Sequence, residues 1–366
     1  MLPGFFPVLL PLCEVDSRLA VTLNDIAKKS RISISTVSRV LNLKSKKYRI
    51  SREVEQRVLQ AAKDLHYRPN QVARSLRLKK TQTIGLVAPD LSNPFFAQLV
   101  KTIQTEAHRL HYSLIVCDSD ESLELEIEHT LLLFSKGVDG LIVMPVGQHY
   151  AHFKDLLDNG VPVVTVDRGF DELATNMVVI DNYAGARAAV EHLLAHGHRR
   201  IAIIQGLAET FTSRGRLAGY RDALADARIP IDERLIVGRD FRKENGYIET
   251  KYLLKSANPP TALFTTSDLI TLGALQAISE EDLEVPRDIS IVAFDDLESA
   301  EYFRCPITAV AQPKETLGEM AVKLLMEELR NPGHHEKRKI ILKPVLVQRS
   351  SVSTIPEQAL AGTTVA

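Results

Sequence analysis

Cysteine is scarce in this 366-residue chain: Cys13, Cys117 and Cys305 are the only three. Their spacing fits neither a disulfide framework nor a thiolate metal site, so a reducing compartment, the cytoplasm, is the expected setting. No apolar run approaches the length of a membrane span, and no membrane partner is expected. The phosphate cradles G-x-G-x-x-G and G-x-x-x-x-G-K-[ST] are missing, as is the G-x-S-x-G nucleophile elbow. Histidines cluster only in "HGHRR" (196–200) and "GHH" (333–335), without a third ligand at zinc spacing. These absences argue against nucleotide chemistry, serine hydrolysis and zinc catalysis, and no cofactor or metal is expected.

What is present is an uneven charge. The formal net charge is −1, yet residues 21–80 hold 16 Lys+Arg against 4 Asp+Glu, while residues 81–366 hold 28 against 40. A compact cationic head on an anionic body suggests a polyanionic partner for the head. A solvated, Lys-rich face is the plainer reading of the same composition. Before the head, "MLPGFFPVLLPLCEVDSRLA" is apolar but carries three prolines and no basic n-region. It reads as a disordered extension over residues 1–20 rather than a secretory signal.

The head predicts three short helices. "TLND" is a capping box, with Thr22 accepting from the N3 amide and Asp25 reaching back. A break follows near Ser30 and Arg31, and Ser33 caps a second helix from Ile34 to Leu41. A third follows Ser51, with Val54, Val58, Leu59, Ala62 and Leu65 at helical spacing. This is helix-turn-helix patterning, in which the second helix offers its polar side chains to the DNA major groove. Those side chains are Ser35, Thr36, Ser38 and Arg39, with Ile34 placed to touch a thymine methyl. The cationic loop "KSKKYR" comes next. A small helical bundle without nucleic acid is the competing reading.

"TLNDIAKKSRISISTVSRVLN" closely resembles the head of the LacI/GalR family of bacterial transcription regulators, and "HYRPNQVARSLR" resembles that family's hinge. The resemblance runs from Val21 to about Ser351. It implies a homodimer on double-stranded operator DNA and completes the DNA-contacting set with Thr22, Asn42, Tyr48, Arg49, Asn70, Ala73, Leu76 and Arg77. Leu76 has no core of its own between Arg74 and Arg77, and an apolar side chain so placed suits a wedge between base steps in the minor groove. The family usually has Ala-Gly where this chain has Ser30-Arg31, and glycine there relieves a turn conformation. The "KKYRIS" loop resembles the fructose and sucrose repressor branch.

From Thr83 onward, strand-like runs recur: "IGLVAP", "SLIVCD", "GLIVMP", "VPVVTVD", "MVVID", "RIAIIQG", "ALFTTSD" and "ISIVAFDD". Helical segments separate most of them, which predicts parallel sheets covered by helices on both faces. Asp90, Asp118, Asp167, Asp181, Asp268 and Asp295 gather where these strands end. Each alone reads as a helix cap; as a set they mark the crevice where open α/β sheets bind ligands.

The resemblance implies a body similar to periplasmic sugar-binding proteins, closing over a small effector. It assigns Asn93 and Phe95 from "DLSNPFF", Asp167 and Arg168 from "VTVDR", and Arg214 from "TSRGRLAGY" as a fork for sugar oxygens. It also assigns Phe241 from "GRDF" as a stacking ring, Ser267 and Asp268 from "TTSD", Asp295 from "FDD", and Gln312. Ser267 departs from the family's usual Asn.

The sequence therefore predicts an α/β protein. An N-terminal three-helix helix-turn-helix head (21–68) and a hinge helix (69–81) precede a periplasmic-binding-protein-like core of two doubly wound parallel-sheet subdomains (82–351), with a tail at 352–366. The subdomains are expected at about 82–180 plus 313–341, and 181–312 plus 342–351. The expected function is a sugar-responsive repressor. A solute-binding protein without a DNA role and a sugar-processing enzyme are the alternatives.

Overall fold

The computed structural model describes residues 21–67, 80–147, 149–297, 299–333 and 336–356, and the chain divides into two units, 1–79 and 80–366. In the first unit α1 (Leu23–Ser30), α2 (Ile34–Leu41) and α3 (Arg52–Asp64) pack around Ile26, Val37, Val40 and Val58, all fully buried. Each helix starts on a hydroxyl cap: Thr22, Ser33 and Ser51. Thr22 and Asp25 form the reciprocal capping box, with the Thr22 N–H donating to Asp25 at 2.9 Å. Arg31 takes the left-handed conformation at the turn (φ 54°, ψ 38°), its N–H closing onto Ala27 and Lys28. A side chain in that conformation costs about 1 kcal/mol relative to glycine. Arg57 of α3 reinforces the turn by donating to the Ser30 carbonyl at 2.8 Å.

The second unit holds two sheets of six strands. The first contains β1 (Thr83–Ala88), β2 (Ser113–Asp118), β3 (Gly140–Val143), β4 (Val163–Val166), β5 (Asn176–Ile180) and β11 (Lys339–Leu342), ordered β11-β5-β4-β3-β1-β2 and parallel throughout. The second contains β6 (Ile201–Ile204), β7 (Ile236–Val237), β8 (Ala262–Thr265), β9 (Ser290–Phe294), β10 (Thr308–Ala311) and β12 (Val345–Val347). Its order, β12-β10-β9-β8-β6-β7, repeats the first sheet position by position, with only β12 antiparallel. The apolar runs are continuous because helices cover both faces: β3, β4, β5, β6, β8 and β9 are buried at every residue.

Helices α4 (Pro94–Arg109), α5 (Leu123–Ser135) and α6 (Ala151–Asp158) accompany the first sheet. Helices α7 (Asn182–Ala195), α8 (Phe211–Asp226), α9 (Lys243–Leu254) and α10 (Asp268–Glu280) accompany the second. The chain crosses between the halves three times: from β5 into α7, from β10 into α11 (Lys314–Arg330), and from β11 to β12. After its crossing α11 packs back on α4 and the first sheet. Two like halves joined by three strands of chain can close on each other, and their strand ends face a common cleft.

Candidate functional site

In the head, the face of α2 away from Val37 and Val40 exposes Ile34, Ser35 and Arg39, with Thr36 and Ser38 half-buried. Arg39 is held in place: its guanidinium lies 4.2 Å from the centre of the Tyr48 ring, which the cationic loop brings back over α2. Arg49 is exposed beside it, Thr22 is exposed and Asn42 is half-buried. The Asn42 amide donates to the Ser38 carbonyl at 2.6 Å, so part of its capacity serves the helix end. Asn70, Ala73, Leu76 and Arg77 lie outside the described residues.

In the core, the cleft between the halves is lined by Asn93, Phe95, Phe96, Asp167, Arg168, Thr212, Arg216, Phe241, Ser267, Asp295 and Gln312, around a narrow cavity of about 20 Å³. Asp167 follows β4 and Asp295 follows β9, equivalent positions in the two sheets. Both are left-handed (φ 64° and 75°), and each N–H bonds the next strand, to Val178 and Val310 respectively. Aspartate tolerates this conformation better than most residues, and such outliers concentrate at ligand sites. Gly206 has no Cβ, which would collide with Phe241, so that ring can lie against the loop after β6.

Arg168 is 2% exposed, with its Nη atoms donating to both Glu121 oxygens at 2.8 Å and its plane 4.9 Å from the Phe241 ring centre. Arg216 is equally buried; its Nε donates to Asn182 at 2.8 Å, an Nη donates to the Thr266 carbonyl, and its guanidinium lies 3.7 Å over Phe294. Burial lowers the Arg216 pKa, with Asp295 and Asp167 opposing the shift. Burial likewise drives Asp167 up to about 6 despite Arg168 and Arg216. Asp268 is buried at the start of α10, raised to about 7 by burial and by Asp295, while the Phe95 N–H donates to the Asn93 side chain at 2.9 Å. The Gln312 amide donates to Asp295. Of the lining residues, three present a buried polar atom without a hydrogen bond among the described residues: Asp167 Oδ1, Gln312 Oε1 and Arg168 Nε, the last 3.8 Å from Asp167 Oδ2.

One expectation needs correction. Arg214 is exposed on α8, donating to the Glu209 carbonyl at 3.3 Å, and does not enter the cleft. Two residues along a helix turn the side chain through about 200°, so Arg216 is the arginine of this helix that faces the ligand space. Phe96, Thr212, Arg216 and Glu121 were not anticipated. For Arg216 a signal existed: it falls three and four residues before Gly219 and Tyr220, on the buried face of α8.

A three-helix head with an exposed recognition face, attached to a hinged two-half core with a polar cleft, defines a ligand-responsive DNA-binding regulator. Residues 22–70 match the family model of the lacI family of bacterial regulatory proteins, and residues 190–352 match the periplasmic binding protein-like domain. The chain is 34% identical to the ribose operon repressor of Haemophilus influenzae, over 91% of this chain and 99% of that one. It is 36% identical to the HTH-type transcriptional repressor PurR of Proteus mirabilis, over 92% and 98%. Its structure is similar to the lac repressor dimer bound to operator and the anti-inducer ONPF, with a TM-score of 0.80, 29% identity, and coverage of 91% and 99%. The chain belongs to the LacI family of transcriptional repressors: it binds DNA through its head and a small effector through its core.

Proposed function

We propose that the effector is a neutral monosaccharide, D-ribose foremost, that the repressor works as a cytoplasmic homodimer, and that the cleft binds without catalysis. The observation that carries the sugar reading is the trio of atoms without a hydrogen bond, Asp167 Oδ1, Arg168 Nε and Gln312 Oε1, on residues that share the lining with Phe95, Phe96 and Phe241. Buried donors and acceptors left unmade cost about 1–3 kcal/mol each. A molecule ringed by hydroxyls and presenting apolar C–H faces satisfies both sets at once. The ribose operon repressor named above supports ribose as the first candidate.

The dimer reading rests on an apolar patch. Ile115 and Val116 on the edge strand β2, with Leu131, Leu132 and Phe134 on α5, are 36–52% exposed. An uncovered β-branched edge invites pairing, and a second copy covers it. Two heads then meet two operator half-sites, with Ser35, Arg39 and Tyr48 toward the bases and the hinge Leu76 wedged in the minor groove. Leu76→Ala should weaken operator binding and bending while sparing sugar affinity; unchanged bending would remove the wedge.

The deciding experiment uses the full chain. An operator is selected from random duplexes, and its affinity is measured against D-ribose, D-fructose and D-ribose 5-phosphate. D-ribose should bind one molecule per chain and change operator affinity. Binding of none of the three, with operator binding intact, overturns the sugar reading.

A further inference from the structure

We propose that Glu121 sets the charge selectivity of the effector cleft by masking Arg168, so that the site accepts a neutral sugar and rejects its phosphate ester. The inference rests on the monosaccharide reading and adds to it a residue that does not line the cleft. Arginine is the residue type best shaped to take a phosphate, through two parallel N–H bonds from its Nη edge. In Arg168 that edge is already taken: one Nη meets Glu121 Oε2 and the other meets Oε1, both at 2.8 Å. The Pro145 carbonyl accepts a further bond from the first, at 3.3 Å. Only Nε makes no hydrogen bond; it lies 3.8 Å from Asp167 Oδ2 and leaves one N–H, suited to one hydroxyl or ring oxygen.

The backbone around Glu121 is built for this task. Asp120 and Glu121 are consecutive non-glycine residues in the left-handed region, at φ 46° and 53°. Such conformations persist only where surrounding bonds determine them. Here the Glu121 N–H donates to Pro89 at 2.7 Å, Ser122 N–H donates to Ser119 at 2.7 Å, and Asp120 N–H donates to the Asp118 carboxylate at 3.0 Å. The loop thereby aims the Glu121 carboxylate at Arg168, while Asp120 reaches Arg242 of the opposite half at 3.2 Å. With Glu121 counted, the cations Arg168 and Arg216 face the carboxylates Glu121, Asp167, Asp268 and Asp295. Burial pulls the Arg168 pKa down, but Glu121 and Asp167 more than offset it, so Arg168 stays a charged partner whose field is cancelled locally.

The test measures D-ribose and D-ribose 5-phosphate binding to the full chain by calorimetry, for wild type, Glu121→Gln and Glu121→Asp, with melting temperatures alongside. Wild type should prefer ribose over its phosphate by at least about 100-fold. Glu121→Gln frees the Nη edge, so ribose should weaken about tenfold while the preference shrinks at least tenfold. Glu121→Asp keeps the charge but loses the two-point geometry; both ligands should weaken together with the preference intact. A Glu121→Gln protein that keeps the wild-type preference overturns the assignment. A wild-type protein that binds neither ligand instead overturns the monosaccharide reading beneath it.

Discussion

The head and the cleft use charge in opposite ways. On the head, Arg39, Arg49 and the lysines of the 44–47 loop stand in solvent, and their fields add toward a partner that arrives with many negative charges. In the cleft, Arg168 and Arg216 are buried: Arg168 is paired with Glu121 before any ligand comes, and Asp295 and Asp167 offset part of the burial cost of Arg216. Exposed charge gives attraction that salt can screen; buried, paired charge gives geometry. Operator binding should therefore fall steeply with salt, and effector binding should hardly respond to it.

The largest effect is expected at Arg216. Arg216→Lys keeps the charge and loses the fork, and effector affinity should drop about 100-fold, close to 2.7 kcal/mol. Arg214→Ala, two residues away on the exposed face, should leave affinity within about twofold. Calorimetry against D-ribose reads both. Equal losses from the two variants would mean that α8 presents a different face to the ligand.

The next effect concerns the pH dependence of stability. Asp167 has a folded pKa of about 6 against 3.8 unfolded, because burial disfavours its charge. Between those values the folded state binds the extra proton, so this group lowers stability as pH rises through the window and contributes nothing below pH 4. The full cost above pH 6 is on the order of 2–3 kcal/mol. Asp167→Asn should thus melt above wild type at pH 8, with the gap closing toward pH 4. A gap independent of pH would contradict the burial argument. Asp268, raised to about 7, carries the same sign.

On the head, Arg39→Ala should cost about 1–3 kcal/mol of operator affinity and relax preference at one base position. Binding of all sites equally well by the variant and wild type would exclude Arg39 from base readout. The smallest effect is at the turn. Arg31→Gly should raise the head's stability by about 0.5–1 kcal/mol, because glycine carries no penalty at φ 54°. A denaturation midpoint that falls instead would show that the Arg31 side chain is needed.

The head's helices were legible because local signals fix them: Thr22, Ser33 and Ser51 each cap a helix, and Arg31 stands visibly where a glycine is favoured. The parallel sheets were legible because eight of their strands are apolar without interruption. Strands β7, β10, β11 and β12 were not foreseen. The first has two residues, and β11 and β12 are half-exposed edges whose partners lie far away in sequence. The cleft was legible only in part. Motif position brought Asp167, Arg168, Asp295 and Gln312 to the lining, but motif position alone cannot choose between Arg214 and Arg216. The helical phase of α8 decides it. Glu121 could not be read at all, because its role depends on a left-handed loop bringing it to Arg168 from 47 residues away.

If a sugar held by Arg216 governs operator binding by the head, the response must follow that side chain. The most direct test is operator affinity of the full chain, by fluorescence anisotropy, with and without saturating D-ribose in wild type, Arg214→Ala and Arg216→Lys. Without sugar all three should bind the operator equally; with it, wild type and Arg214→Ala should shift together and Arg216→Lys should not move. An Arg216→Lys repressor that responds as wild type does, or an Arg214→Ala repressor that no longer responds, would contradict the account.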